Sequence, residues 1–312
     1  MALLNKQIKG GNKMITVFTP VYNRRYILEK CYQSLLHQTN KNFKWLIVDD
    51  GSTDQVEDLI TQWIEEKKIA IHFIRQENGG KHVAHNTGVL NCDTDLFICV
   101  DSDDYLTDDA IELVYKYWDM IKNNQQLAGI AMLRKYQNGQ LMSTHMPKGI
   151  DSSTLYDLYE NYHFKGDLAL VFRTEILKKY LFPQFENEKF VGECVVYDQI
   201  SENYKMYLVD HPIYIGEYLE DGYTQNVVQL YRKNPKGYSF YLQQRIMLAK
   251  GSKQKKNAFA KYISGCWMIN QMIDRKIFDN SLMFIIILPQ AIYLYLKWWL
   301  KNELLQLKII KP

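Results

Sequence analysis

Several things are scarce in this 312-residue chain, and each scarcity excludes something. The five cysteines (Cys31, Cys92, Cys99, Cys194 and Cys266) are odd in number and scattered. No CxxC pair occurs, so neither a zinc knuckle nor a disulfide framework is signalled, and a reducing compartment is expected. The opening residues MALLNKQIKGGNK carry no apolar stretch of the kind a secretory signal needs. Residues 1–13 are expected to be a disordered leader. The net charge is small, at +3, so there is no overall basic excess of the sort nucleic-acid binders show. No glycine-rich turn follows the first apolar run: TPVYNRR lacks glycine altogether. That argues against a nucleotidyltransferase with a phosphate-cradling loop at this point.

What is present is an ordinary globular composition, 47% hydrophobic and 23% charged, enough for a real core. The charge is unevenly spread. From Tyr231 to Pro312 there are fifteen Lys/Arg against three Asp/Glu, a surplus of 12, which leaves −9 for the first 230 residues. The same tail holds the longest apolar run, residues 282–300, LMFIIILPQAIYLYLKWWL, with Pro289 near its middle. Nineteen such residues could just span a bilayer. The interruption at Pro289-Gln290 and the interfacial character of Lys297, Trp298 and Trp299 favour a helix lying in an anionic membrane surface, helped by Lys253, Lys255 and Lys256. A packing helix, or a homodimer contact through the tail, is the alternative.

The first 120 residues alternate strand and helix patterns about four times, which predicts an α/β fold with a mostly parallel sheet and right-handed crossovers. The apolar runs at 15–19, 43–48, 69–74 and 96–100 are the strands, with helices over about 26–37, 55–66 and 82–90. Two strands end in carboxylates: Val48 runs into Asp49-Asp50-Gly51-Ser52-Thr53-Asp54, and Val100 into Asp101-Ser102-Asp103-Asp104. In open α/β sheets ligands bind outside the carboxyl ends of the strands. Clustered carboxylates there repel unless something positive sits among them, and a hard divalent cation shared with substrate phosphates meets that need. The plain alternative is that Asp103 or Asp104 caps a helix running from about Thr107 to Trp118. Further on, residues 130–149 read as short strands around Asn138-Gly139, 154–162 as a helix, and 164–173 as a loop feeding a strand. Tyr204–Tyr207 and Pro212–Tyr218 read as strands, and 217–226 as a polar aromatic loop. His82 and His85 have no partner that the sequence places.

Each of TPVYN, VDDGSTD and VDSDD is weak alone, since Asp-Gly-Ser is common turn chemistry. Their order and spacing over residues 14–120 resemble the inverting glycosyltransferases of family 2, with a GT-A (Rossmann-like) fold, and the likeness extends to about 225. The resemblance implies a sugar nucleotide donor, a UDP-sugar being expected, and a saccharide or lipid-linked saccharide acceptor, as in bacterial cell-surface polysaccharide synthesis. It implies that Pro20, Tyr22 and Asn23 line the nucleotide pocket and that Asp50 holds the base, with Asp49 as the alternative contact. Asp101 and Ser102 would serve the donor and Asp103 would ligate Mn²⁺ or Mg²⁺, as the family's DXD motif does. Lys81, in GGKHVAHNTG with Asn86, would meet the diphosphate as a point charge.

Inversion needs one general base for the acceptor hydroxyl. The resemblance places it at Glu193 in FVGECVVYDQI, although Cys194 stands where an Asp usually follows; Asp198, Asp167 and the pair Glu220/Asp221 are rivals. Lys165 and Asp167, with Glu220 and Asp221, are the candidate acceptor contacts. The expected organisation is a nucleotide-sugar half over 14–125, an acceptor half over 126–226 and a basic helical tail over 227–312. The expected activity is a metal-dependent, hexosyltransferase-type transfer by a cytoplasmic protein held on the inner face of the cell membrane. The competing readings are an inactive GT-A domain that serves as a partner-binding scaffold and a receiver-type signalling domain; the latter does not explain DSDD.

Overall fold

The computed structural model describes residues 15–217, 223–278 and 281–306. Among them the strands are β1 (Ile15–Val21), β2 (Phe43–Asp49), β3 (Ile71–Arg75), β4 (Leu96–Cys99), β5 (Tyr105–Leu106), β6 (Leu127–Lys135), β7 (Ser152–Ser153), β8 (Leu168–Arg173) and β9 (Lys205–Ile215). The helices are α1 (Leu28–Leu36), α2 (Val56–Glu66), α3 (Lys81–Asn91), α4 (Ala110–Ile121), α5 (Leu155–Glu160), α6 (Thr174–Leu177), α7 (Cys194–Ile200), α8 (Tyr223–Lys233), α9 (Pro235–Leu248), α10 (Gly251–Met268) and α11 (Ser281–Gln306). The chain divides into two compact units, with boundaries at Asn78/Gly79, Val83/Ala84, Leu181/Phe182, Glu202/Asn203 and Glu217/Tyr218.

The first unit holds the whole sheet, in the order β3-β2-β1-β4-β8-β6-β9-β5, with β7 paired to β9. The run β3-β2-β1-β4 is parallel, as the alternating pattern predicts; β1, β2 and β4 are rich in buried apolar residues, whereas the edge strand β3 is only partly covered. Beyond β4 the sheet becomes mixed: β8 is antiparallel to β4 and β6, β9 is parallel to β6, and β5 is antiparallel to β9. Parallelism traced through these pairs puts the ends of β1, β2, β4, β6 and β9 on one edge. One continuous core lies under α1, α2 and α4, with Tyr32, Trp45 and Trp63 stacked at 4.3–5.9 Å.

Prolines mark where sequence reading and structure part. β1 does not stop before Pro20 but runs through it to Val21. Phe18 accepts a hydrogen bond from Val100 on the β4 side, so Pro20, two residues on, turns its nitrogen to that side, where the β4 ladder has ended. The missing N–H therefore costs no ladder bond. Likewise the strand-like pieces around 204–207 and 212–218 are a single β9 that passes through Pro212. The pairing with β6 slips there: Met132 opposes Val209, Leu133 opposes Pro212 and Arg134 opposes Tyr214, an irregularity that absorbs the proline. The stretch from 127 is one nine-residue strand, β6, and not short pieces from 130 onwards, with an isolated bridge Lys135–Leu141 across the Asn138-Gly139 turn.

The second unit carries α7 to α11 and the segment Gly79–Val83, which includes the first turn of α3. Its own core joins Leu242 and Ile246 of α9, Phe259, Tyr262 and Ile263 of α10, and Ile287 and Ala291 of α11. The expected polar loop at 217–226 gives way to helix from Tyr223, and α11 is unbroken through Pro289. An interior proline costs a helix about 3 kcal/mol. Burial of Ile287, worth about 1.5–3 kcal/mol, and of Ala291 offsets it. The expected leader 1–13, and Glu220 and Asp221, lie outside the described residues.

Candidate functional site

The carboxyl edge of β1 and β2 is built from interlocked loops. Asp50 follows β2, donates its N–H to Val21 O at 2.8 Å and is only 3% exposed. Its Oδ1 accepts from Gln76 Nε2 at 2.8 Å, while Asn78 Nδ2 reaches Asp50 O at 2.9 Å and Oδ2 at 3.2 Å. Gln76 is fixed in turn by Thr87 Oγ1 at 2.6 Å. These bonds fix the orientation of the Asp50 carboxylate. Asp49 is spent on structure: Oδ1 accepts from Ser52 N at 2.9 Å and Oδ2 lies 3.5 Å from Arg75 Nη1. Asn23 is left-handed, with φ of 53°, and locks its loop to the next one. Its N–H donates to Ser52 Oγ at 2.9 Å, and its Oδ1 accepts from Thr53 N at 2.8 Å. Asn tolerates that backbone better than most residues. Tyr22 beside it is 49% exposed, Pro20 is buried in β1, and Asn86 is buried on α3. Gln76, Asn78 and Arg75 lie outside the three motifs, and nothing in those motifs singles them out.

The acidic turn after β4 does not cap a helix. α4 starts at Ala110, its N-cap Asp109 makes no side-chain cap bond, and Ile111 N donates instead to Gln38 Oε1 at 3.1 Å. The turn closes on itself through Asp104 N to Asp101 O at 3.1 Å. Asp101 and Asp103 are half-buried, whereas Ser102 and Asp104 are buried. Burial raises the Asp104 carboxyl to about 7; the charges of Asp101 and Asp103 add to this, and Arg134 and Tyr214 oppose it. That crowding of negative charge is what a divalent cation would relieve. Two half-exposed carboxylates suit Mg²⁺ or Mn²⁺, which takes one or two carboxylates and draws its other ligands from phosphate and water. Lys165 is exposed, and Asp167 is half-buried and adds to the negative field around Arg134. A cleft of about 500 Å³ opens beside Tyr105, the residue directly after the turn, and its walls include Ser34, Lys30 and Lys135.

In the second unit Lys81 opens α3 and its Nζ lies 2.8 Å from Glu193 Oε1. Glu193 is the N-cap residue of α7 but makes no side-chain cap bond, so its carboxylate is not engaged in capping. Asp198, one turn on, is 5% exposed and gripped by Arg245 Nη1 at 3.0 and 3.2 Å. A buried pair of this kind costs about 3–5 kcal/mol to break, which makes Asp198 a structural residue and weakens it as a base. Cys194 is exposed, and the nearby charges of Asp198 and Glu193 push its thiol up, so it stays protonated. His82 and His85 are both buried; His82 packs edge-on against Phe182, and burial pulls its pKa down to about 4.

The glycosyl transferase family 2 model matches residues 16–181, more than half of the chain. The chain is 32% identical over 180 residues to the glycosyltransferase GlyA of Streptococcus pneumoniae, a match covering 54% of this chain and 25% of that protein. It is 29% identical over 203 residues to the succinoglycan biosynthesis protein ExoW of Rhizobium meliloti, covering 58% and 63%. The match spans a quarter or less of GlyA and of two Rickettsia glycosyltransferases. Among solved structures, S. aureus TarS in complex with UDP-GlcNAc superposes with a TM-score of 0.61 at 18% identity, covering 81% of this chain and 72% of that one. The mannosyltransferase PcManGT of Pyrobaculum calidifontis, with GDP-Man and Mn²⁺, gives 0.53 at 17% identity, covering 82% and 72%. At these identities the likeness concerns the fold, and the fold is the expected GT-A one with a helical C-terminal region.

Proposed function

The chain belongs to glycosyl transferase family 2, and from that premise we propose that it moves a sugar from a nucleoside diphosphate, UDP by preference, onto a saccharide or lipid-linked saccharide with inversion. The observation that carries this is the sheet edge. Asp50 after β2 and the Asp101–Asp104 turn after β4 flank β1 on its carboxyl side, and neither is consumed by helix capping. Asp50, oriented by Gln76 and Asn78, accepts an imino N–H of the base. Asp103 would hold Mn²⁺ or Mg²⁺, with Asp101 reaching the ribose or a metal-bound water; the ion when bound supplies Lewis-acid stabilisation of the departing diphosphate. Lys81 adds a point charge for the diphosphate, and Glu193 takes the acceptor hydroxyl's proton.

A screen of sugar nucleotides by thermal shift with Mn²⁺ tests the reading, with Asp50→Ala as its control. The variant is expected to bind every uridine nucleotide at least tenfold more weakly, whatever the sugar. Loss confined to one sugar would move Asp50 from base recognition to sugar recognition, and no stabilisation by any sugar nucleotide would sink the donor reading.

The second unit suits an anionic membrane surface. Of residues 282–300 only 11% are buried, and Leu282, Ile285, Ile286, Tyr293, Leu296 and Leu300 face outward. Lys253 and Lys256 are exposed on α10, which packs against α11. Each basic residue near an anionic surface contributes about 1 kcal/mol. Truncating α11 would strip the shared core, so the test is substitution of exposed residues. Ile285→Asn with Leu296→Asn is expected to release the full-length protein from phosphatidylserine vesicles in a sedimentation assay at low salt. If the unmodified protein stays in the supernatant, the membrane location is wrong and α11 is a docking helix.

A further inference from the structure

A feature outside the matched segment 16–181 acts on the acidic turn. Tyr214, near the end of β9, is fully buried and 113 residues from Asp101 in sequence. Its Oη accepts the Asp101 N–H at 2.9 Å and donates to Asp104 Oδ2 at 2.8 Å. One hydroxyl thus ties both ends of the four-residue turn whose third residue is Asp103. Donor and acceptor in series polarise one another, so the chain is stronger than two isolated bonds. The ring is held as well. The Arg134 guanidinium lies 3.8 Å from its centroid and 3.8 Å from Asp104 Oδ2, and Arg134 Nε is anchored on Leu168 O at 3.1 Å. Burial alone would lower the Arg134 pKa, but Tyr214, Asp101, Asp104 and Asp167 raise it above its ordinary value and keep it charged. Arg134 and Tyr214 are cross-strand partners only because β9 takes extra residues around Pro212, and such irregularities re-aim side chains beside functional sites. The fit is close: a Cβ on Gly216 would come within 2.8 Å of Asp104 Oδ1.

We propose that Tyr214, backed by Arg134, is a positioning residue for metal-dependent donor binding: it fixes the Asp101–Asp104 turn so that Asp101 and Asp103 present their carboxylates together despite their repulsion. The proposal rests on the donor reading above. Without the hydroxyl, the Asp101 N–H and the buried Asp104 carboxylate both lose a partner, and the turn is free to spread its charges. Loss of an outer partner typically weakens metal affinity about 10- to 100-fold.

The test uses the full chain and a readout other than turnover. UDP binding is followed calorimetrically while Mn²⁺ is titrated, and bound Mn²⁺ is followed by its electron paramagnetic resonance. Tyr214→Phe keeps the ring and its stacking. It is expected to raise the half-saturating Mn²⁺ concentration at least tenfold and to leave the thermal midpoint within a few degrees. Arg134→Lys, which keeps the charge but not the planar stack, is expected to fall between the two and serves if Tyr214→Phe does not fold. A lowered midpoint with an unchanged Mn²⁺ curve overturns the proposal and leaves Tyr214 a core residue. An unchanged curve in Asp103→Asn as well would overturn the metal reading itself, which separates the two failures.

Discussion

Asp103→Asn is expected to abolish Mn²⁺-dependent binding of UDP and its sugars while leaving the protein folded. Asp103 is half-buried in a turn that is closed by the backbone bond from Asp104 N to Asp101 O. The exchange is nearly isosteric and removes one of the charges that press on Asp104, so the fold has no electrostatic reason to suffer. What it removes is an anionic ligand for a hard cation whose other ligands are few. Calorimetry with and without Mn²⁺, beside a thermal melt, checks both halves of the expectation. Retention of the full Mn²⁺ dependence would assign the metal to other residues.

The second large effect is expected at Glu193. Glu193→Gln should reduce turnover by a factor on the order of 10² or more, as loss of a general base does, with donor affinity changed by less than about threefold. Its rivals are weakened by particular contacts. Asp198 is locked to Arg245, and Asp167 lies in the field of Arg134. The Cys194 thiol, kept protonated, carries no charge to take its neighbour's place. Lys81 sits on the Glu193 carboxylate in this structure, with Nζ 2.8 Å from Oε1. Steady-state kinetics with saturating donor, together with direct donor binding, measures both quantities. A loss smaller than tenfold would transfer the role to Asp167. A matching loss of donor affinity would make Glu193 a partner for Lys81 and not a base.

β1, β2 and β4 were legible because buried parallel strands are short, unbroken apolar runs, and those of β2 and β4 ended abruptly in Asp. β1, β2 and β4 start where those runs start, and the helices between them follow the apolar spacing to within two residues. The second half was harder to read. β9 hides a proline, β6 hides in a run that looked like fragments, and α11 carries Pro289 without breaking. In each case a contact from elsewhere in the chain compensated a local penalty.

The sequence by itself determined that carboxylates stand at two neighbouring strand ends, since strand order and strand ends are local patterns, and it placed Asp50, Asp101 and Asp103 on one edge. Only the tertiary structure decided what each carboxylate is used for. Asp49 went to Arg75 and the Ser52 turn, Asp104 to Tyr214 and Arg134, and Asp198 to Arg245. Gln38, and neither Asp103 nor Asp104, serves the start of α4. These assignments join residues up to 110 positions apart. The reason is physical: a buried charge must find a partner or a proton, and which partner lies within reach is set by packing, not by spacing along the chain.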